Sequence, residues 1–299
     1  MTEKNSANHT PEISEDSGNV ETSSKETGYY VYAIGCLSHR RGDEAGAAPT
    51  LPSMGILPDT PVEMLAYRDI LAFVSRVPMS QFSQDALDEN LKRSNWVRDC
   101  VIAHQATLAG LLSSCAIIPC KFCTVYLSRE RVTQMLIDGY EGFSATLQLL
   151  ANTTEWGVKV YCNLPIFARQ VEATSEVLRS QREAVAKSRP GTAYFLRKKL
   201  EQAALREAEN VVTTQVQHIH TELTEHARSA RLNKAQTPQE HGHKDEMFLN
   251  AAYLIADDTW HDFRAALDGL AASYGQVGFE IELTGPWPPY NFADAASGE

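Results

Sequence analysis

The sequence predicts an α+β protein of two domains. Short runs of β-branched and aromatic residues, typical of strands, alternate with longer segments in which apolar residues recur every three or four positions, as in helices. At Pro165 the composition changes to charged, alanine-rich sequence that favours helix, which places a domain boundary there. With 299 residues, 43% of them hydrophobic, the chain is long and apolar enough for two cores.

Charge and hydropathy exclude several classes of partner. Lysine and arginine number 27 against 38 aspartates and glutamates, a formal net charge of −11, which disfavours binding to nucleic acid. The longest apolar runs are too short to span a bilayer, and the polar first 28 residues contain no signal segment. We therefore expect a cytoplasmic protein that does not bind membranes. The six cysteines are expected to be reduced, since disulfide frameworks belong to smaller secreted chains.

The N-terminal domain is predicted over residues 28–164, after a disordered tail at 1–27 that has too few apolar groups to fold. A long loop is expected at 38–61 because proline and glycine recur there. The predicted strands and helices, in chain order, are a strand at 29–34, a strand at 70–75, a helix at 83–114, an extended segment at 117–126, a helix at 128–150 and a strand at 156–161.

The C-terminal domain is predicted over residues 165–292 and is followed by a second disordered tail at 293–299. It begins with helices at 168–187 and 192–232, which a break at Arg189–Gly191 makes into a long hairpin. The second helix has a narrow apolar stripe, as in a coiled coil. A polar loop at 234–246 precedes the remaining elements, which are a strand at 248–256, a helix at 258–274 and a strand at 277–283.

Several motifs occur in a characteristic order from residue 29 to residue 292. They are YVYAI at 30–34, ILAFVS at 70–75, Trp96 with His104, PCKFCT at 119–124, EWGVK at 155–159, GTAYFLRKK at 191–199 and LTGPWPPYNF at 283–292. The last three motifs are specific, whereas the first two alone would be ordinary strands. In this series the chain resembles the gas vesicle protein L/F family.

The resemblance implies a role in assembling gas vesicles, the gas-filled protein shells that make cells buoyant. Members of the family look like accessory or minor shell-associated proteins that contact the small, hydrophobic major gas vesicle structural protein, and other vesicle accessory proteins are further candidate partners. It also implies two α+β domains with ferredoxin-like elements and added helices, and a location at the gas vesicle. One position departs from the pattern, because the family usually has glycine where this chain has Cys123. We expect this side chain to exclude any local conformation that only glycine adopts.

Two clusters of metal-ligating residue types favour packing over chemistry. Cys120 and Cys123 have the spacing of half a zinc site or a redox pair, but the sequence has no second close cysteine pair and no helix opens at the motif. Five histidines near the end of the long helix look solvated, although His241 and His243 have a spacing that suits a transition metal. These histidines are His218, His220, His226, His241 and His243. We predict no metal and no cofactor.

Eight residues of the specific motifs are candidates for a partner-binding surface. They are Glu155, Lys159, Tyr194, Arg197, Lys198, Trp287, Pro288 and Tyr290. Two structural alternatives stay open: Glu155 and Arg197 form ion pairs between the domains, or the stiff aromatic–proline segment covers the seam between them.

The sequence contains no phosphate-binding glycine loop, HExxH motif or G-x-S-x-G motif, so we expect a non-catalytic protein. The leading hypothesis is an assembly factor or minor shell component that binds the major gas vesicle structural protein at a sheet edge or in the groove between domains. A coiled-coil adaptor acting through residues 192–232 is the first alternative, and a cysteine- or metal-dependent enzyme is the second.

Overall fold

The computed structural model describes residues 26–40 and 51–293. The segments predicted to be disordered lie almost wholly outside these residues, as do residues 41–50 of the loop predicted at 38–61. Residues 51–61 of that loop form no helix or strand, whereas residues 38–40 end the first strand. Within the described part, the chain forms two antiparallel sheets with helices packed on them, which confirms the predicted α+β class. No helix in this part is long and apolar enough to cross a membrane.

The first sheet is built from the apolar runs of the N-terminal half. Its order is β2-β3-β1-β4, all antiparallel, with β5 pairing the start of β1. The strands are β1 (Thr27–Arg40), β2 (Glu63–Tyr67), β3 (Ile70–Pro78), β4 (Cys115–Pro119) and β5 (Val125–Tyr126). Helices cover both faces, so residues 30–36 are buried without alternation. The short strand β2 was not predicted from the sequence.

Two groups of helices pack on this sheet, and each predicted helix is divided in two. The bounds are α1 (Met79–Phe82), α2 (Gln84–Asn90), α3 (Ser94–Leu112), α4 (Arg129–Asp138) and α5 (Tyr140–Leu150). Residues 91–93 separate α2 from α3, and Gly139 separates α4 from α5. Ser128 caps α4 as predicted, because its Oγ accepts a hydrogen bond from the Arg131 backbone N–H at 3.3 Å.

The second sheet repeats the strand order of the first. Its order is β7-β8-β6-β9, so both sheets run second, third, first, fourth strand with antiparallel pairing. The strands are β6 (Thr153–Cys162), β7 (Ser229–Leu232), β8 (Glu246–Ala256) and β9 (Phe279–Trp287). With a helical connection after β6 and another after β8, this half has the β-α-β-β-α-β arrangement of ferredoxin-like folds.

Helices of the second half cover one face of this sheet. They are α6 (Leu164–Thr174), α7 (Arg179–Lys187), α8 (Pro190–Glu225), α9 (Pro238–His241) and α10 (Trp260–Gly275), with 3₁₀ turns at Glu176–Leu178 and Tyr290–Phe292. The long helix and the hairpin that it forms with α7 are present as predicted. From Leu200 to Leu223, α8 buries one residue in every three or four, and Ala204 and Ala208 in this stripe bring neighbouring helices close.

Two sequence predictions about this half are wrong. Strand β6 pairs with β8 and β9 rather than with the N-terminal strands, because its alternating pattern fits either sheet and only pairing over more than 80 residues decides between them. The helix predicted to reach residue 232 ends at Glu225, and residues 229–232 form β7 instead. Pairing with β8 there outweighs helix propensity.

One apolar core connects the two halves. It combines strand residues of the first sheet, side chains of α4 and α5, Ala252 and Leu254 of β8, and Phe292 near the end of the described chain. Arg228 adds a polar contact, since its Nη1 donates to the carbonyl oxygens of Leu149 and Ala151 at 3.0 Å each. We propose that the domains divide between α5 and β6, about ten residues before the boundary expected at Pro165.

The turn after β4 keeps the conformation that was expected to need glycine. Cys123 has a φ of 65°, in the left-handed region, and its backbone N–H donates to the Tyr30 hydroxyl at 3.1 Å. The Thr124 N–H closes the turn on the Lys121 carbonyl oxygen at 3.1 Å. The expectation that a side chain at 123 excludes this conformation is therefore wrong. The surrounding hydrogen bonds hold the cysteine in a region that costs about 1–2 kcal/mol for an L-residue.

Replacing Cys123 isolates this backbone cost. We expect Cys123→Gly to be more stable than Cys123→Ala by about 1 kcal/mol, because both lack the thiol and only glycine adopts a positive φ without steric penalty. Urea unfolding at pH 7 measures the difference. Equal unfolding free energies for the two variants would show that the turn carries no strain.

Candidate functional site

The segment after β9 crosses the seam between the two halves. Trp287 ends the strand opposite Glu155 of β6, and the buried prolines Pro288 and Pro289 follow. The turn at Tyr290–Phe292 then enters the first half, where Phe292 is 3% exposed in the shared core. We call residues 287–293 the C-terminal strap.

On the first half, the strap contacts a buried histidine of α3. His104 is 1% exposed; its Nδ1 lies 2.9 Å from the Tyr30 hydroxyl and its Nε2 lies 3.1 Å from the Tyr290 hydroxyl. Burial lowers the pKa of His104 to about 4. The imidazole is therefore neutral at pH 7, with one ring nitrogen donating and the other accepting. It connects β1 of the first sheet to the strap through two tyrosines.

On the second half, the strap contacts a buried carboxyl group. Glu155 is 3% exposed and accepts hydrogen bonds from the Asn291 backbone N–H at 3.1 Å and from the Asn291 Nδ2 at 2.6 Å. Burial raises the pKa of Glu155 to about 7, although the bonds from Asn291 act in the opposite direction. Among the described residues, no cation forms an ion pair with it. The hydrogen-bond partner of Glu155 is thus Asn291 of the strap rather than the arginine considered from the sequence.

The structure divides the eight predicted partner-binding residues into two separate groups. Glu155, Pro288 and Tyr290 are used in the seam, as in the alternative in which the aromatic–proline segment covers it. Lys159 lies half-buried on the same strand as Glu155, β6, opposite Asn250 and Glu282.

Trp287 is the exposed member of the first group. Its side chain is 48% exposed, and the indole N–H donates to the Thr284 Oγ1 at 3.1 Å. It lies at the end of β9, which is the edge strand of the second sheet and pairs with β6 alone among the described strands. An exposed aromatic residue on an open strand edge is a suitable contact for an extended partner segment.

The second group is on the first turns of α8. Tyr194 is 59% exposed, Arg197 and Lys198 are exposed, and the Lys198 Nζ lies 5.6 Å from the centre of the Tyr194 ring. At 1.5 Å per residue, the helix carries Tyr194 about 40 Å from Leu223, which packs in the core of the second half. The two groups lie on different elements of the second half, one on the start of α8 and the other on β6, β9 and the strap.

The surroundings of the cysteine pair and of the histidines favour packing over catalysis or metal binding. Burial raises the pKa of the Cys120 thiol to about 12 and of the Cys123 thiol to about 11, so neither is a thiolate at neutral pH. Across residues 26–40 and 51–293, no three histidine, cysteine, aspartate or glutamate side chains are grouped to hold a metal ion.

The expectation of solvated histidines is wrong for several of them. His220 Nδ1 lies 2.7 Å from the Tyr253 hydroxyl, and His243 stacks on Tyr161 with ring centres 4.1 Å apart. The role of Asn291 was not predicted, because its bond to Glu155 joins residues 136 positions apart. The available signal was the position of Asn291 within the motif at 283–292.

Removing the hydroxyl group of Tyr290 tests the contact between the strap and the first half. We expect Tyr290→Phe to lower the free energy of unfolding by about 1–2 kcal/mol, because a buried ring nitrogen of His104 loses its partner. Tyr194→Phe, which removes an exposed hydroxyl, serves as the control and should change stability by less than about 0.5 kcal/mol. Urea unfolding of both variants at pH 7 decides, and similar values for the two would contradict the role of the bond.

The two buried ionisable groups are expected to give opposite pH dependences of stability. His104 has a folded pKa of about 4, below its unfolded value, so its contribution is lost as pH falls from 6.5 to 4. Glu155 has a folded pKa of about 7, above its unfolded value, so its contribution is present below pH 4.5 and is lost as pH rises through 7. Each contributes at most about 3 kcal/mol.

The variant Glu155→Gln should therefore show the pH dependence of stability that comes from His104 without the opposing contribution of Glu155. We expect the stability of this variant, relative to the wild type, to increase as pH rises from 4.5 to 7, while His104→Gln shows the opposite trend. Urea midpoints measured at half-unit pH intervals give both differences, in which all other titrating groups cancel. Parallel curves for the wild type and Glu155→Gln would mean that Glu155 titrates normally.

Comparison with known proteins agrees with the motif series. The family model described as gas vesicle synthesis protein GvpL/GvpF matches residues 28–294. Gas vesicle protein L of Streptomyces sp. (strain CB03234) is 30% identical over 257 residues, 83% of this chain and 92% of the relative. Gas vesicle protein F2 of Halobacterium salinarum is 24% identical and covers 82% of this chain and 85% of its own length.

Solved structures share the fold. The crystal structure of gas vesicle protein GvpF from Anabaena sp. PCC7120 has a TM-score of 0.60 at 18% identity, covering 89% of this chain and 96% of its own. GvpF from Microcystis aeruginosa has a TM-score of 0.56 at 17% identity, covering 89% and 98%. With the family model matched over nearly all of the described residues, the chain belongs to the GvpL/GvpF family of gas vesicle synthesis proteins.

Proposed function

We propose that this chain is a non-catalytic assembly factor of the gas vesicle, which binds the major gas vesicle structural protein before that protein joins the growing wall. The observation that carries the proposal is membership of the gas vesicle synthesis family over the whole folded part of the chain. The protein would act in the cytoplasm, at the vesicle surface, alongside other gas vesicle proteins.

The chemistry of the buried groups supports binding over catalysis. Both ring nitrogens of His104 are occupied by tyrosine hydroxyls, which leaves no position for a substrate proton. Glu155 has both carboxyl oxygens on Asn291, and burial keeps the Cys120 and Cys123 thiols protonated. Within the described ranges, these polar groups hold the two halves together rather than converging on an open cleft.

The edge of β9 is the surface that we propose for the structural protein. An edge strand offers backbone N–H and carbonyl groups to an added strand, and hydrogen bonds of this kind do not depend on the partner's side chains. Exposed Trp287 at one end supplies an apolar contact, and Lys159 on the adjacent strand supplies a positive charge. A hydrophobic shell protein would be held there by its backbone while its apolar side chains contact the tryptophan.

Co-purification with the major gas vesicle structural protein tests this proposal. With a tag placed before Tyr29, we expect the wild type to recover the shell protein and Trp287→Ser to recover at least about fivefold less, a loss of about 1 kcal/mol or more. Lys92→Glu, an exposed change on the other half of the molecule, is the control and should recover the wild-type amount.

Two results would count against the proposal. Absence of shell protein from the wild-type sample, together with normal vesicles in a strain that lacks this gene, would remove the assembly role itself. Full recovery by Trp287→Ser, with a urea midpoint equal to that of the wild type, would remove β9 as the binding surface.

A further inference from the structure

The α7–α8 hairpin extends beyond the packed part of the second half. We define the hairpin arm as residues 179–206, comprising α7 and the first half of α8. No residue of α7 is buried, and none of residues 190–199 at the start of α8 is buried, whereas Leu200 and every third or fourth residue after it are. The arm is therefore open to solvent on most of its surface.

The charge of the arm is opposite to that of the rest of the protein. Residues 179–206 contain eight arginines and lysines against two glutamates, a net charge of +6 in a chain whose net charge is −11. Arg197, Lys198 and Lys199 form no ion pair with any described residue. Since charges in physiological salt are screened beyond about 8 Å, a partner at the start of α8 responds mainly to this local positive charge.

Aromatic side chains lie beside these unpaired cations. Phe195 is 70% exposed, and its ring packs edge-on against Tyr194 with centres 5.7 Å apart. Exposed large apolar residues grouped with arginine and lysine are typical of interaction surfaces rather than of ordinary solvent-facing helix. The pair is positioned to enter an apolar partner surface while the cations contact its charged rim.

A groove runs between the two helices of the arm. It has a volume of about 390 Å³ and is lined by Gln181 and Ala184 of α7 and by Leu196, Lys199, Ala203 and Arg206 of α8. The short side chains of Ala184 and Ala203 in its lining allow a third helix to approach both backbones closely, and Lys199 and Arg206 add positive charge to the lining. Phe195 precedes Lys199 by one turn of α8 and so lies on the same side of that helix.

The positive charge, the exposed aromatic residues and the groove together suit one kind of binding partner. The geometry points to the hairpin arm as a docking surface for an acidic amphipathic helix of a partner protein, which places its apolar face on Leu196 and the alanines and its carboxylates on Lys199, Arg206 and Arg197. This interaction goes beyond the proposed function, because it lies on a surface distant from β9 and requires no shell protein. It confines the coiled-coil adaptor hypothesis for residues 192–232 to the exposed first turns of α8.

A protein helix fits the arm better than a phosphate-bearing surface. An anionic membrane or a nucleic acid would need only the charge, whereas Ala184, Leu196 and Ala203 give the groove apolar lining residues that an amphipathic helix can cover.

Binding of a synthetic helix to the full chain tests the inference. The probe is a fluorescent peptide of about 18 residues, five turns, with leucine at every third or fourth position and glutamate and glutamine at the others. We expect the wild type to bind this peptide with micromolar affinity, measured by fluorescence anisotropy. The affinity should be at least tenfold weaker for the double variant Arg197→Glu/Lys198→Glu, and also for the single variant Phe195→Ser. The control is Lys92→Glu, Arg98→Glu, which makes the same charge change at exposed positions on the other half and should keep wild-type affinity.

Three results would overturn the inference. One is equal affinity for a matched peptide with lysine in place of glutamate. Another is unchanged binding by the double variant at wild-type thermal stability. The last is binding of vesicles containing anionic lipid, lost in the double variant, without binding of the acidic peptide, which would make the arm a lipid-binding surface.

Discussion

The apolar core shared by the two sheets holds the two halves of this protein against each other. Side chains of α4 and α5 occupy it together with residues from the first sheet and with Ala252 and Leu254 of the second. Apolar contact of this kind is non-directional, so it holds the halves together without fixing their orientation. The orientation comes from polar contacts at the margin, where Arg228 binds the end of α5 and the C-terminal strap binds both halves.

Glu155 and His104 in those contacts are buried, and each has its hydrogen-bond partners. An unpaired carboxyl or imidazole at such a position would cost several kcal/mol, whereas satisfied groups cost little and permit only one arrangement. Glu155 and His104 are thus better understood as groups that select one domain arrangement than as catalytic groups. This also explains how specific sequence motifs occur in a protein for which we propose only binding. The WPPYNF motif encodes the closing of the seam, and only Trp287 in it remains accessible to a partner.

Local sequence patterns predicted most of the elements but not how they combine. Apolar runs marked β1 and β3 because both faces of the first sheet are covered, and Ser128 marked the start of α4 because capping is a local interaction. The sheet to which β6 belongs depends on pairing with β8 and β9, more than 80 residues later, which no window of sequence contains. Strand β7 has four residues, too few for a periodic signal.

The turn at Cys123 was misjudged for a related reason. Residue type alone disfavours a positive φ there, and the hydrogen bonds that stabilise it come from Tyr30 and Lys121. For the candidate surfaces, the sequence motifs supplied only the candidate residues, and their exposure in the structure separates them. Glu155 is buried and Tyr290 half-buried in the seam, while Tyr194 and Arg197 are exposed on the hairpin arm.

The position of the strap at the end of the described chain has a consequence for synthesis. The His104–Tyr290 contact spans 186 residues and the Glu155–Asn291 contact spans 136, so both form only after residues 290 and 291 have left the ribosome. Until then, the first half can fold with the face shared with β8 and Phe292 still uncovered. A nascent chain without the strap therefore lacks the polar contacts that fix the orientation of its two halves.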